Sequence, residues 1–278
     1  MNSRRVLVVA HRGASREAPE NTLAAFRRAI EAGADAVELD VRLTADGNLA
    51  VIHDGSVKRT TGARGRVAGM TAGELKALDA GGWFGNAFAG ERIPLLEEVV
   101  KAASGRTGLF VEVKSPGSRG ELVARLVRDA LSGFAGDAVV LSFDRRFARL
   151  YKGMYPGARV ALLAESSDGI KTALDAGLDA AAVGLHSAAS KSTRQRAADA
   201  GLGLYVWTVK SFQGFARALG RGADGVITDL PRQARSAIDF IIATADRQPG
   251  GAPGDQEAYL AWRRKFIKQM KRWPQPNR

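Results

Sequence analysis

Two of the chain's three histidines stand at the ends of short apolar runs. His11 follows a run over residues 6–10 and precedes Arg12 and Gly13, and His53 closes a run over residues 49–53. Glu38 and Asp40 lie two apart within residues 36–43, so an extended backbone turns both carboxylates to one face. Glu112 and Lys114 repeat that spacing at the end of a run over residues 109–113. Imidazoles move protons near neutral pH, and a hard divalent cation takes several oxygen ligands. Carboxylates, imidazoles, an arginine and a lysine at one mouth suit displacement at a phosphodiester, where cations offset the charge and a proton moves on each side of phosphorus. Taken singly, a strand-end histidine is more often structural, and Glu-x-Asp on a strand usually makes a solvated edge or a salt bridge. Independent structural roles for all of them at once are improbable.

The elements that must position these groups alternate along the chain. Short β-branched or apolar runs at 6–10, 36–43, 49–53, 109–113, 138–142, 159–163, 180–184, 204–209 and 225–228 predict nine strands. Most are separated by helix-length stretches with apolar residues at i, i+3 and i+4 spacing, such as Leu23, Phe26 and Ile30, which predicts βαβ units and a parallel sheet. Only Thr44 to Asn48 separates the second run from the third, too short for a parallel crossover, and Asp46-Gly47 is a hairpin signal. Without that return strand, eight parallel strands remain, the number for a closed (β/α)₈ TIM barrel at the C-terminal mouth of which reactive side chains gather. A two-residue turn at Asp46-Gly47 sets His53 opposite Asp40, and a bulge moves this by a residue or so. The glycine-rich segment from about 54 to 94 breaks the rhythm and reads as an inserted lobe packed by Trp83, Phe84 and Phe88.

The stretches AHRGASREAPENTLAAF, VELDVRLTADGNLAVIHD, FVEVK, YVWTV and GADGVITDLP, in this order and spacing, resemble the glycerophosphodiester phosphodiesterase family over Val6 to Pro231. The resemblance implies hydrolysis of glycerophosphodiesters to glycerol phosphate and an alcohol. It implies that His11 and His53 are the general acid/base pair, that Glu38, Asp40 and Glu112 bind a divalent cation, Mg²⁺ or Ca²⁺, and that Arg12 and Lys114 grip the phosphate. Trp207 is placed by it on the alcohol side of the cleft, with a packing role as the alternative, and Phe143 is a second candidate wall. Asn21 is a candidate substrate contact that also stands where a helix N-cap is expected, and Glu20 reads as no more than a helix-start residue. His186 matches no family position and reads as structural. Lys210 departs from the pattern, where asparagine more often follows Trp-Thr-Val, and this bears on contacts to the leaving group. Phosphatidylinositol-type phospholipases, which also use paired histidines on a barrel, suggest attack on phosphorus by a neighbouring substrate hydroxyl.

Composition sets outer bounds. An apolar fraction of 45% with 25% charged residues over 278 residues is ordinary for a globular chain with a sizeable core, and the absence of cysteine removes disulfides and thiolate metal sites. The five-residue apolar run before His11 is too short for a signal-peptide core, and no window approaches the roughly 18 apolar residues of a membrane span, so a cytoplasmic protein is expected. The expected organisation is a barrel over 1–245, a linker over 246–254 and a basic helical tail over 255–278. Half of the net charge of +12 falls after Asp246. In residues 255–273, Tyr259, Leu260, Trp262, Phe266, Ile267, Met270 and Trp273 share one helical face and Arg264, Lys265, Lys268, Lys271 and Arg272 the other. Such a helix fits an anionic membrane surface, on the inner face of the membrane, or docking on the barrel or a second copy. Charge alone is weak support for nucleic acid, and none is expected. Three functional readings follow: a hydrolase of soluble glycerophosphodiesters, a phospholipase acting on lipids such as phosphatidylglycerol through the tail, and a non-catalytic binder of lipid or phosphate.

Overall fold

The computed structural model describes residues 5–114, 116–186 and 191–245; the expected linker and tail lie outside these described residues. Among the described residues nine strands occur: β1 (Leu7–Ala10), β2 (Ala36–Leu43), β3 (Leu49–Val51), β4 (Gly108–Val113), β5 (Ala138–Ser142), β6 (Arg159–Ala164), β7 (Ala180–Gly184), β8 (Gly203–Trp207) and β9 (Gly225–Thr228). The helices are α1 (Leu23–Glu31), α2 (Lys58–Thr61), α3 (Ala72–Ala77), α4 (Leu96–Ala103), α5 (Gly120–Ala130), α6 (Arg145–Met154), α7 (Asp168–Asp175), α8 (Lys191–Asp199), α9 (Phe212–Gly220) and α10 (Pro231–Ala245). Apart from β3, the strands pair in parallel in the order β1-β9-β8-β7-β6-β5-β4-β2, and a β1–β2 pairing closes the ring. This is the expected (β/α)₈ TIM barrel.

Strand periodicity divides each run between two cores. Val37, Leu39, Val41, Leu109, Val111 and Val113 pack outward beneath the helices, whereas Ala36, Phe110, Leu141, Ala161, Tyr205 and Ile227 fill the barrel interior. Alternation therefore sends Glu38, Asp40 and Glu112 inward, and the parallel register sets Asp40 beside Glu112. Carboxylates at interior positions cost stability unless their charge is offset, and these lie at the strand C-termini where the mouth opens.

The β2–β3 hairpin differs from its sequence reading. Leu43 pairs with Leu49 and Val41 with Val51, so Asp40 faces Ile52, whose N–H it accepts at 2.9 Å, and His53 lies one residue further on. The loop is Ala45-Asp46-Gly47 rather than two residues. Thr44 Oγ1 accepts the Asn48 N–H at 2.8 Å, and Gly47 takes φ +84°, the left-handed position that closes a three-residue hairpin loop. From β3 onward the chain builds a separate small core of Val57, Val67, Leu75, Ala80 and Ile93 against Ala50 and Ile52. Trp83, Phe84 and Phe88 stack edge to face at 5.7 and 5.4 Å, and Phe88 packs against Ala18, Ala24 and Ala25 rather than into that small core. Among the described residues, no helix is long and apolar enough to cross a membrane.

Candidate active site

The His11-Arg12-Gly13 turn begins where β1 ends. His11 N–H donates to Thr228 O at 2.8 Å on β9, and Arg12 adopts φ +54° so that its N–H reaches Glu38 Oε2 at 2.8 Å. A non-glycine residue held in that region costs roughly 1–3 kcal/mol, which the surrounding contacts must supply. Gly13 follows at φ +80°, and a Cβ there would lie 2.7 Å from Ala25, so no larger residue fits. Asn21 is the second non-glycine residue with positive φ, +58°. Its Nδ2 donates to Asp40 Oδ2 at 2.7 Å and its Oδ1 accepts the Asp40 N–H at 3.2 Å. Capping of α1 falls to Thr22, whose hydroxyl accepts the Ala25 N–H, so the capping role considered for Asn21 belongs one residue later. Asn21 is committed to Asp40 and is not among the residues that line the cleft.

Each site histidine has Nδ1 on a carboxylate. His11 Nδ1 lies 2.6 Å from Asp229 Oδ1, and His53 Nδ1 lies 2.7 Å from Asp54 Oδ1. An ionised carboxylate accepts, so the Nδ1 atoms carry protons and the Nε2 atoms are left for proton transfer. Burial raises Asp229, but the His11 hydrogen bond and the Lys210 ammonium outweigh it and hold the carboxyl well below its usual range. The Arg59 hydrogen bond does the same for Asp54, helped by His53. Burial lowers His53, with Arg12 and Lys114 adding to the effect against Asp40 and Asp54, so this imidazole is neutral near pH 7.

Glu38, Asp40 and Glu112 are buried and offer ligand oxygens that all lie within 4.8 Å of one another. Burial raises Glu38 well above the carboxylate range, with Asp40 and Glu112 adding repulsion. Burial and Asp40 push Glu112 up to about 7 despite Lys114. Asp40 is held low because Lys114 and Arg12 outweigh its burial. Lys114 Nζ stands 2.5 Å from Glu112 Oε1 and 3.1 Å from Asp40 Oδ1, yet neither oxygen has a partner in hydrogen-bond geometry. Three buried carboxylates with oxygens this close together, balanced in part by one ammonium, fit a hard divalent cation.

These groups meet in a cleft of about 180 Å³ lined by His11, Arg12, Glu38, His53, Glu112, Lys114, Phe143 and Trp207. Trp207 Nε1 donates to Ala182 O at 3.0 Å, fixing the indole, and Phe143 meets it edge to face at 5.5 Å. Phe143 is 46% exposed at the rim, with the Lys114 ammonium 5.8 Å from its ring centre. His186 lies outside this cleft, in an adjoining cavity of about 330 Å³ that shares Trp207 and Thr208.

The model of the glycerophosphoryl diester phosphodiesterase family matches residues 11–233. The chain belongs to that family. Among relatives of this family chain, the glycerophosphodiester phosphodiesterase of Caldanaerobacter subterraneus subsp. tengcongensis is 39% identical over 236 residues, 82% of this chain and 95% of the relative. That of Bacillus subtilis is 32% identical over 248 residues, 82% of this chain and 84% of the relative. Among solved structures, an Oleispira antarctica phosphodiesterase in complex with the product sn-glycerol-3-phosphate superposes with a TM-score of 0.75 at 28% identity, covering 84% of this chain and 96% of that one. The glycerophosphodiester phosphodiesterase of Agrobacterium tumefaciens gives 0.73 at 31% identity, covering 84% of this chain and all of that one.

The glycerophosphoryl diester phosphodiesterase site includes residues to which sequence reasoning gave no role. Asp229 and Asp54 orient the histidines. Glu20 is more than a helix-start residue, since its Oε1 accepts from Arg12 Nη1 at 2.9 Å. Asp54 directly follows His53, a signal the sequence carries, whereas Asp229, in the quoted GADGVITDLP motif, lies 218 positions from His11. Lys210 Nζ lies 2.7 Å from Asp229 Oδ2, behind His11, and Lys210 is not among the residues that line the cleft. Because that lysine is 61% exposed, Lys210→Asn is expected to change turnover only a few-fold, about the reach of a screened ion pair, and equally for every alcohol. Initial rates on two diesters check this, and a change confined to one alcohol would return Lys210 to the leaving-group side.

Proposed function

We propose that the protein hydrolyses glycerophosphodiesters to glycerol phosphate and an alcohol, with His11 and His53 as the acid/base pair. The observation that carries this reading is the pair of carboxylate-backed histidines sharing one cleft with Glu38 and Glu112, whose oxygens cluster with those of the buried Asp40, in a chain of this family. Glu38, Asp40 and Glu112 would hold a hard cation, Mg²⁺ or Ca²⁺, which when bound would offset the charge of the phosphoryl oxygens. Asp229 and Asp54 hold the Nδ1 protons, so that one Nε2 takes the proton of the attacking glycerol hydroxyl and the other gives one to the departing alcohol; the two then exchange roles as water opens the cyclic phosphate to glycerol phosphate. Arg12 and Lys114 bind the phosphate, Trp207 and Phe143 form the wall beside the alcohol, and Asn21 acts through Asp40, which it keeps ionised and aimed.

Lys114→Ala is expected to raise KM for the diester and lower kcat/KM by about 10- to 100-fold, since a charge-assisted contact to the phosphate is lost. Steady-state kinetics read this, and wild-type efficiency on every diester tested would assign Lys114 to the structure alone.

The test of function is hydrolysis of soluble glycerophosphodiesters beside anionic liposomes, with metal added. Turnover of the soluble diesters supports the reading. Cleavage confined to liposomal phosphatidylglycerol, lost on deleting residues 248–278, would transfer the activity to a phospholipase held peripherally at an anionic membrane by residues 255–273. Ligand binding without metal-dependent turnover would make the protein a binder.

A further inference from the structure

His53 and Arg12 are joined by a run of side chains that leaves the barrel and returns to it. From His53 the contact passes to Asp54, whose Oδ2 accepts from Arg59 Nε at 2.7 Å. Arg59 Nη1 and Nη2 then donate to Glu20 Oε2 and Oε1 at 2.7 and 2.9 Å, and Glu20 Oε1 accepts from Arg12 Nη1. Arg59 stands on α2, in the inserted segment, whereas Glu20 precedes α1 and Asp54 follows β3. Its planar fork serves two carboxylates at once, one through Nε and the other bidentately, and a lysine ammonium has no such geometry. None of Asp54, Arg59 and Glu20 lines the catalytic cleft.

The consequence of this geometry is mechanical. Asp54 is a third exposed, and without Arg59 its carboxylate has only the neighbouring imidazole to hold it in place. Glu20 would likewise retain only Arg12, whose backbone is already in the left-handed region and whose side chain is also drawn toward Asp40, 3.3 Å from its Nε. Resting on the functional reading above, we propose that Arg59 is a positioning residue that holds the acid/base His53 and the phosphate-binding Arg12 in one arrangement, so that the inserted lobe is part of the catalytic apparatus. Arg59 acts through Asp54 on one arm and through Glu20 on the other.

The two arms separate in kinetics. Asp54→Asn is expected to lower kcat with little change in KM, and Glu20→Gln to raise KM with little change in kcat. Arg59→Met is expected to do both, lowering kcat/KM by about 30-fold, within the 10- to 100-fold typical of residues that orient ligands and bases. Arg59→Lys, which keeps the charge and holds one carboxylate at a time, is expected to recover one arm only. In the Glu20→Gln background, Arg59→Met should add only the kcat loss, a non-additive cycle that marks the shared path. Thermal melts accompany each variant. Should Arg59→Met fail to fold, Arg59→Lys carries the test. Wild-type kcat and KM in Arg59→Lys, or full multiplication of the Arg59→Met and Glu20→Gln losses, overturns the proposal. If the wild-type protein hydrolyses no diester, the functional reading fails by itself. Inorganic phosphate affinity by calorimetry and the His53 Nδ1–H signal in ¹⁵N spectra still read the two arms, and both unchanged in Arg59→Lys and Arg59→Met would overturn the positioning role.

Discussion

Replacing His11 or His53 by alanine is expected to lower turnover by about 10² or more, the usual loss when a positioned acid or base is removed. The fold should survive, because neither imbalance reaches the core: the His11 and His53 side chains are 21% and 31% exposed and sit at the mouth rather than between strands and helices. Asp229 keeps Lys210 as a partner in the first variant, and Asp54 keeps Arg59 in the second. Each carboxylate therefore stays ionised and paired. The double variant should be little slower than the singles, since groups that act in one proton-transfer cycle do not contribute additively. Purified variants with wild-type melting curves and near-normal kcat would remove the corresponding histidine from the mechanism.

Substituting the acidic trio should separate stability from activity. In the metal-free protein Glu112 is pushed to about 7 from an ordinary 4.5, chiefly by burial and then by Asp40. Between those two values the folded state holds a proton that the unfolded chain has released, so stability falls as pH rises through that window and levels off above it. Glu38, raised by burial and the same neighbours, steepens the fall. A bound dication favours the deprotonated carboxylates and offsets their repulsion, so the rise in Tm on adding Mg²⁺ or Ca²⁺ should be larger at about pH 8 than at about pH 5. Glu112→Gln is expected to abolish turnover while making the metal-free protein more stable at the higher pH. Melting curves with and without metal across pH check both statements. A metal-induced shift that is absent, or the same at both pH values, would detach Glu38, Asp40 and Glu112 from metal binding.

The strands were legible because barrel strands, buried on both faces, are written as near-continuous apolar runs. Against such runs the inward Glu38, Asp40 and Glu112 stand out, and the hard chemistry of the site could be read from them. The hairpin register was not legible, since Thr44-Ala-Asp-Gly-Asn48 accommodates a two- or a three-residue loop and side-chain bonds of Thr44 decide between them. Asn21 and Thr22 are both good caps by residue type, and only the position of Asp40 shows which one is engaged elsewhere. The carboxylates behind the histidines escaped for a different reason. Asp229 is 218 positions from His11, a pairing made by barrel closure, and Asp54 and Arg59 resemble an ordinary solvated loop until α2 brings Arg59 onto Glu20.

The most direct measurement of the central claim follows a soluble glycerophosphodiester by ³¹P NMR with protein stripped of metal and then reloaded. No product is expected in the stripped sample, and conversion of the diester to glycerol phosphate once Mg²⁺ or Ca²⁺ is returned. Full turnover after stripping, or none with any divalent cation in a folded protein, would contradict it.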